Sequence, residues 1–317
     1  MSGLPSTIFV TWTPHHRATE MARAIGGEIY EPWPGRRSWP APARYVIQGS
    51  QTIVHVIRRR PQNVLFTNPP FVTGISLLLA RLVTQFSLWS DSHSGAFNDP
   101  RWARFKRINE WLMRRCTGVI VTNERLAEVV EARGARALVV NYPSTQSKKR
   151  TASSRPYMVA TMGFMFDEPV DELVDAARRV PQVELVLSGR APQGLAHRLP
   201  ANCTVTGWLP RERYEELLAG ARGVVCLTTR EDTMQTGAYE ALEFGLPMLL
   251  SGTRALRDFF TRGVVFLDGH DPDSIAAGLQ RLWDDYEHLS AEALNERAAT
   301  LARCNDEVTL LVKALRR

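Results

Sequence analysis

The sequence predicts an α/β protein built as two doubly wound halves, each a parallel sheet covered by helices. Three observations carry this reading. The chain has 317 residues, 44% apolar and 23% charged, enough for about two globular domains. Short β-branched or aromatic runs alternate with helix-like segments, the pattern of a parallel sheet with crossover helices. A Ser/Thr/Lys/Arg-rich stretch near residues 143–156 has no apolar period and reads as a linker. The expected domains are 1–145 and 157–300, joined by 146–156, with a last helix near 300–317 packing back on the first.

The elements follow in order. Ser6–Trp12 is a β-branched and aromatic strand, and His16–Ile25 a helix stopped by Gly26-Gly27. Residues 28–62 carry no assigned element. Asn63–Thr67 is a strand ended by Asn68-Pro69-Pro70, with a helix through Leu82. Gln85–Trp89 is a strand, Arg101–Cys116 an amphipathic helix, Gly118–Thr122 a strand, Glu124–Arg133 a helix and Ala137–Val140 a strand. The second half repeats the pattern. Strands are expected at Tyr157–Met162, Val183–Ser188, Cys203–Thr206, Gly223–Leu227, Met248–Ser251 and Gly263–Leu267. Helices are expected at Val170–Val180, Arg211–Ala219 and Gln235–Phe244, the last stopped by Gly245 and Pro247. The remainder is mostly helical.

Several function classes are excluded early. The first residues lack a charged region followed by an apolar one, so no signal peptide is expected. The longest apolar stretch, Phe71–Ala80, falls short of the roughly 20 residues of a spanning helix. The four cysteines (Cys116, Cys203, Cys226, Cys304) form no C-x-x-C pair, which predicts a reducing, cytoplasmic setting without structural zinc. Charge is uneven. Residues 1–150 hold 21 Lys and Arg against 9 Asp and Glu, and residues 151–317 hold 18 against 24. A basic half suggests an anionic partner. Arg36, Arg37, Arg44, Arg58, Arg59 and Arg60 lie among aromatics and prolines. An anionic membrane surface, at ~1 kcal/mol per basic residue, is the expected peripheral contact; a solvated basic face is the plainer alternative. No nucleic-acid motif is present, and no nucleic-acid partner is expected.

The stretch 226–247 carries the chemistry: strand, polar loop, helix, then Gly245-Leu246-Pro247. Asp232 and Glu240 lie eight residues apart, one in the loop and one in the helix. The amides of Gln235, Thr236 and Gly237 fall at the helix N-terminus, which favours a phosphate. Acids beside a phosphate site repel it unless they bind hydroxyls. The combination therefore suggests a nucleotide sugar, diphosphate on amides and acids on hydroxyls. The alternative is an Asp helix cap and a surface Glu.

This stretch resembles the donor-binding motif of retaining glycosyltransferases of family 4: an acid, seven residues, Glu-Ala, then Gly-x-Pro. Asp232, Glu240-Ala241 and Gly245-Leu246-Pro247 match it. Thr206–Pro210 and Val186–Arg190 are similar to further strand-end motifs of that family, and Val119–Asn123 and Val139–Pro143 match more loosely. The resemblance is strongest over about 160–270. It implies the GT-B fold, two Rossmann-like domains facing a central cleft, and metal-free transfer of a hexose to a glycan or lipid-linked hydroxyl, most similar to bacterial exopolysaccharide or cell-surface enzymes. It implies that Glu240 binds ribose, that Asp232, where the family usually has Glu, lies by the transferred sugar, and that Met234, Gln235 and Thr236 amides hold sugar and diphosphate. It also implies that Gly163 and Gly189 line the donor site. By the same resemblance Trp208 and Leu209 flank the base, although Trp208 reads equally as core. One departure stands out. The loop Gly163–Pro169 lacks the family's phosphate-clamping Arg and Lys, leaving Arg190 and Arg230 as the expected cations or as surface arginines. A nucleotide-sugar epimerase or a non-catalytic nucleotide-sugar binder are the rival readings.

In the first half, Ser90-Asp91-Ser92-His93 ends a strand. The resemblance implies His93 as the catalytic-site contact and Asp91 as the second; a capping Asp and a solvated His are the alternative. Thr13, His15, His16 and Arg17 end the first strand, where the resemblance places the acceptor. Arg17 could hold an acceptor phosphate or be a surface arginine. Adjacent histidines do not converge on a metal. Asp271-Pro272-Asp273 reads as turn and cap chemistry.

Overall fold

The structure, a computed structural model, describes residues 6–13, 16–36, 38–143, 146–151 and 153–316. The chain divides into two compact units. Unit 1 comprises Met1–Ser144 with Arg303–Arg317, and unit 2 comprises Thr145–Ala302.

Unit 1 runs β1 (Thr7–Val10), α1 (His16–Ala24), β2 (Glu28–Tyr30), α2 (Ala41–Arg59), β3 (Asn63–Asn68), α3 (Phe71–Ala80), β4 (Ser87–Ser92), α4 (Gly95–Asn98), α5 (Pro100–Ala103), α6 (Lys106–Met113), β5 (Gly118–Val121), α7 (Glu124–Glu131) and β6 (Ala137–Val139). Its sheet has the order β2-β1-β3-β4-β5-β6, parallel throughout. The strands are buried on both faces, as helices on each side require. One face is covered by α2, α3 and Leu112 of α6. The other is covered by α1 and by Val308, Leu311 and Leu315 at the end of the chain.

Unit 2 runs β7 (Met158–Thr161), α8 (Val170–Arg179), β8 (Leu185–Ser188), β9 (Cys203–Gly207), α9 (Arg211–Ala219), β10 (Gly223–Cys226), α10 (Thr236–Phe244), β11 (Met248–Ser251), α11 (Arg254–Phe259), β12 (Val264–Leu267) and α12 (Pro272–Asp284). A final helix, α13 (Tyr286–Leu315), carries residues of both units. The second sheet has the order β12-β11-β10-β7-β8-β9 and is also parallel. In each sheet the strand order reverses once, between β1 and β3 and between β7 and β10. Loops at the carboxyl ends of such strands are where doubly wound folds bind ligands.

Two stretches of unit 1 depart most from the sequence expectation. β2 and α2 occupy the stretch left unassigned. The inward face of α2 is Gln48, Gly49, Thr52 and Val56, more polar than an amphipathic pattern needs. Its polar groups are met by Trp12, whose Nε1–H donates to Thr52 Oγ1 (3.1 Å) and whose carbonyl accepts from Gln48 Nε2 (3.1 Å). Gly49 lets α2 approach α3, since a Cβ there would lie 2.7 Å from Ser76 Oγ. The expected helix 101–116 is broken into α5 and α6. Asp99 caps α5 by accepting from the Arg101 N–H (2.8 Å), and Phe105 leaves the helical path to pack on Phe71 and Trp102.

The expected linker is held along unit 2. Lys148 Nζ contacts Glu243 Oε2 (2.6 Å) and Glu215 Oε1 (3.0 Å), Arg150 reaches Ser290 Oγ (2.8 Å), and Thr151 N–H donates to the Ala219 carbonyl (2.9 Å).

Because Leu311 is fully buried against the first sheet's core, Leu311→Ala is expected to lower stability by about 2–5 kcal/mol. Urea denaturation measures this, and an unchanged midpoint would remove the chain terminus from that core.

Candidate functional site

The carboxyl edge of the first sheet is organised around a buried charge. Arg17 lies in the first turn of α1 and is only 6% exposed. Its Nε and Nη2 donate to Asp91 (3.1–3.3 Å), Nη1 to the Asn141 carbonyl (2.7 Å) and Nη2 to the Val140 carbonyl (2.7 Å). Asp91, on β4, is fully buried. Burial alone would raise its carboxyl, but the guanidinium of Arg17 and the nearby His93 override it and hold Asp91 well below the usual carboxylate range. His93 Nε2 lies 3.3 Å from Asp91 Oδ2, and the His93 side chain is 21% exposed. Sequence distance is erased here: 74 residues separate Arg17 from Asp91.

Two expectations are corrected. Arg17 is not an acceptor-phosphate ligand, because its guanidinium is buried and spent on Asp91 and two carbonyls. Asp91 is not a direct substrate contact, because it is enclosed; it orients His93 instead. A buried polar set continues below it: Asn68 Nδ2 donates to Ser92 Oγ (3.1 Å) and to Asn109 Oδ1 (2.9 Å). The His93 N–H donates to the Asn68 carbonyl (2.9 Å), fixing the turn. Of the remaining residues expected near the acceptor, Thr13 is exposed after β1 and His16 opens α1. His15 lies outside the described residues, as does Arg37.

In unit 2 the predicted donor residues gather at the carboxyl ends of β7, β8, β9 and β10. Glu240 sits in α10 and is 5% exposed, so it is not a surface acid. Its Oε1 accepts from Arg211 Nη1 (2.6 Å) and its Oε2 from Tyr214 Oη (2.8 Å). Burial pushes its carboxyl up, Arg211 and Tyr214 pull it down, and Glu243 adds a smaller upward push; the balance is a raised pKa. Each oxygen keeps a second acceptor position. Arg211 and Tyr214 were missed by sequence reasoning. The only signal was their spacing on α9, which sets both on the side facing α10.

The α10 N-terminus has Gln235 as its N-cap with no side-chain cap hydrogen bond. Asp232 is therefore not the cap; it is buried in the loop before it. Gln235 Nε2 instead donates to the Leu227 carbonyl (2.9 Å) and ties the loop back to β10. Glu231 turns away, accepting from the Arg254 N–H (2.6 Å) at the start of α11. Met234 is half-buried and Thr236 exposed. Gly237 brings the helix onto the sheet, since a Cβ there would lie 2.0 Å from Thr161 Oγ1. Gly189 does the same for β8: at φ +138° its Cβ would lie 2.1 Å from the Met162 carbonyl.

Trp208 is 65% exposed, which removes the core reading. The Arg190 guanidinium lies 5.9 Å from its ring centroid, and Leu209 beside it is half-buried. Arg230 stacks 4.4 Å from the Phe166 centroid, with its Nε 3.9 Å from Asp167 Oδ1. Its charge is thus already met in part. The loop after β7 is held by its own acids. Asp167 Oδ2 accepts from Thr228 Oγ1 (2.8 Å). Glu168 accepts from the Gly163 N–H (3.0 Å) and the Met165 N–H (3.2 Å). Burial raises the Glu168 carboxyl against the pull of these amides. Asp271 caps α12 through the Ser274 N–H (2.9 Å). Among the described residues no three His, Cys, Asp or Glu side chains converge as metal ligands would.

The buried pairs give measurable consequences. Asp91 has a folded pKa below its unfolded one, so its stabilisation is complete above about pH 4 and is lost as pH falls further. Asp91→Asn is expected to cost about 3–5 kcal/mol at pH 7 by leaving Arg17 uncompensated, and to flatten the acid limb of stability against pH. Parallel melting curves from pH 7 to pH 3 test this; equal acid sensitivity of both proteins would contradict it. Gly237→Ala is expected to unseat α10 and lower stability by about 1–3 kcal/mol, read by denaturant titration.

Comparisons with known proteins bear on the same segment. Residues 156–285 match the family described as glycosyl transferases group 1. No curated protein matches. Among solved structures, a sucrose-phosphate synthase from Thermosynechococcus elongatus superposes with a TM-score of 0.76 at 13% identity, covering 98% of this chain and 99% of that one. Anabaena HepE in complex with UDP-glucose gives 0.75 at 12% identity, covering 98% and 100%. A structure described as a UDP-N-acetylglucosamine 2-epimerase from Listeria monocytogenes gives 0.61 at 12% identity, covering 91% of each. The chain therefore has the GT-B fold, and its residues 156–285 are similar to the glycosyl transferases group 1 family.

Proposed function

We propose that the protein transfers a hexose from a UDP- or GDP-linked sugar to a hydroxyl of a glycan or lipid-linked acceptor, with retention of configuration and without a metal, in the synthesis of a polysaccharide or cell-surface glycan at the cytoplasmic side of the membrane. The observation that carries this is Glu240: a buried carboxylate with acceptor positions to spare, beside an α10 N-terminus with no side-chain cap hydrogen bond, inside the family match. HepE is solved with UDP-glucose, with UDP and glucose, and with UDP, which favours a uridine nucleotide.

In this reading Glu240 accepts from the ribose hydroxyls while Arg211 and Tyr214 hold it in place. Asp232 receives hydroxyls of the transferred sugar. The amides of Met234, Gln235 and Thr236 take the sugar and diphosphate, with Gly163 and Gly189 allowing close approach. Trp208 and Leu209 flank the base. Arg190 is the better diphosphate cation, since Arg230 already has Asp167 beside it. In unit 1, His93 contacts the reacting sugar, oriented by Asp91, and Thr13 and His16 border the acceptor. The acceptor oxygen bonds to the anomeric carbon on the face the diphosphate leaves. The sugar–phosphate bond breaks, and the acceptor proton passes to the leaving diphosphate. Donors aimed at that leaving group contribute ~3–4 kcal/mol each.

A nucleotide-sugar epimerase shares this fold, as the Listeria structure illustrates; it would turn over donor with no acceptor present. The loop after β7, with two acids and no cation, favours a third reading as a non-catalytic nucleotide-sugar binder.

A thermal-shift panel of UDP, GDP, ADP, CMP and their sugars on wild type and Glu240→Ala separates these. One base is expected to stabilise wild type by ~2.7 kcal/mol at a hundred times its dissociation constant, and the variant not at all. Equal shifts in both proteins would dismiss the donor site. His93→Ala is expected to cut transfer by about 10²-fold or more with donor affinity retained; unchanged transfer would leave His93 a structural residue.

A further inference from the structure

The outer helical layer of unit 1 serves none of the chemistry above, and its surface is unusual. α3 packs against α2 on one side and α6 on the other. Inward residues such as Val56, Leu77 and Leu112 join one core. Outward, Leu79, Leu82, Val83, Ile108 and Trp111 are exposed, Leu82 at 82% and Val83 at 68%. The same layer is nearly free of acids. α2 and α3 contain none, and α6 contains Glu110 alone, whose carboxylate lies 3.2 Å from Arg133 Nε. Lys106, Arg107, Arg114 and Arg115 are exposed on and just after α6, with Arg107, Ile108, Trp111 and Arg115 spaced along one helix face.

The turn after α3 and the end of α6 are joined through Arg81. Arg81 Nη1, between Leu79 and Leu82 in sequence, donates to the Arg115 carbonyl (3.0 Å). The Arg115 guanidinium lies 4.1 Å from the Trp111 ring centroid. Single exposed aliphatic residues are ordinary; five exposed apolar residues on two neighbouring helices and the turn after the first, interleaved with cations and with the one acid of α6 already paired, are what an anionic bilayer surface selects. Leu82, Val83 and Ile108 gain nothing from a nucleic-acid backbone, which needs only the cations. No helix among the described residues is long and apolar enough to cross a membrane, so the contact is made from one side.

We propose that the α3–α6 face of unit 1 docks the protein on an anionic lipid surface, with Leu82, Val83 and Trp111 entering the headgroup–acyl boundary and Arg107, Arg114 and Arg115 meeting lipid phosphates. This extends the expectation drawn from Arg36, Arg44 and Arg58–Arg60: exposed apolar residues stand beside those arginines too, at Trp33, Val46 and Val54, but the largest exposed set lies on α6 and at the end of α3 and the turn after it. It stands whether or not the protein transfers a sugar.

Co-sedimentation of the full chain, without nucleotide, on phosphatidylcholine vesicles with and without about 30 mol% phosphatidylglycerol tests it. Binding is expected only with phosphatidylglycerol and is weakened by salt at about 0.5 M. Leu82→Ser/Val83→Ser and Arg107→Glu/Arg114→Glu are each expected to lower partitioning by roughly tenfold, with wild-type circular dichroism and melting temperature. The proposal is overturned by any of four results. These are no binding to the anionic vesicles, binding unchanged in both double variants, equally tight binding to duplex DNA, or a wild-type dimer that Leu82→Ser/Val83→Ser dissociates.

Discussion

A guanidinium cannot be taken out of water unless its charge and its donors are met, and the first unit is built around meeting those of Arg17. Asp91 supplies the opposite charge from β4, and the carbonyls of Val140 and Asn141 supply acceptors from the segment after β6. Asn141 in turn gives its N–H and its amide to Glu307 near the end of α13. One side chain thus fixes α1, the central strand, the last strand's exit and the chain terminus. The exposed part of this assembly is His93, placed by the same carboxylate that neutralises Arg17.

The second unit uses the same ingredients to a different end. Glu240 is nearly as buried as Asp91, yet its carboxyl is pushed up rather than down. The difference lies in the partners. Asp91 faces Arg17 along both oxygens and His93 besides. Glu240 shares one arginine with Glu215, receives its second hydrogen bond from a neutral phenol, and has Glu243 nearby. Asp91 is therefore a saturated anion suited to holding other groups. Glu240 is an under-supplied one, stabilised further by each hydroxyl that reaches it, which is the behaviour the proposed ribose contact requires.

The acids of the loop after β7 act in the same local way. Asp167 is bound by Thr228 and Glu168 by backbone amides of its own loop, so a turn without lysine or arginine is still ordered. Its ordering comes from internal anions, and the positive charge at this edge comes from Arg190 and Arg230, which enter from neighbouring loops.

The sequence by itself determined the two parallel sheets, because alternation and turn chemistry are local properties: the Gly245-Leu246-Pro247 stop or the β-branched GVIV run reads the same in any context. It also singled out the loop 226–247 as the proposed donor site, because that motif is contiguous. It did not determine α2, whose inward face is polar and makes sense only once Trp12 satisfies it. Nor did it determine which charges are surface and which are structural. From sequence, Arg17 reads as a phosphate ligand or a surface arginine and Glu240 as a ribose ligand or a surface acid, while Arg211 and Tyr214 carry no signal beyond their spacing. Burial decides those roles, and burial is a property of what the rest of the chain places around a residue. A guanidinium is a binding group in water and a keystone among carbonyls, and only the tertiary structure says which surroundings it has.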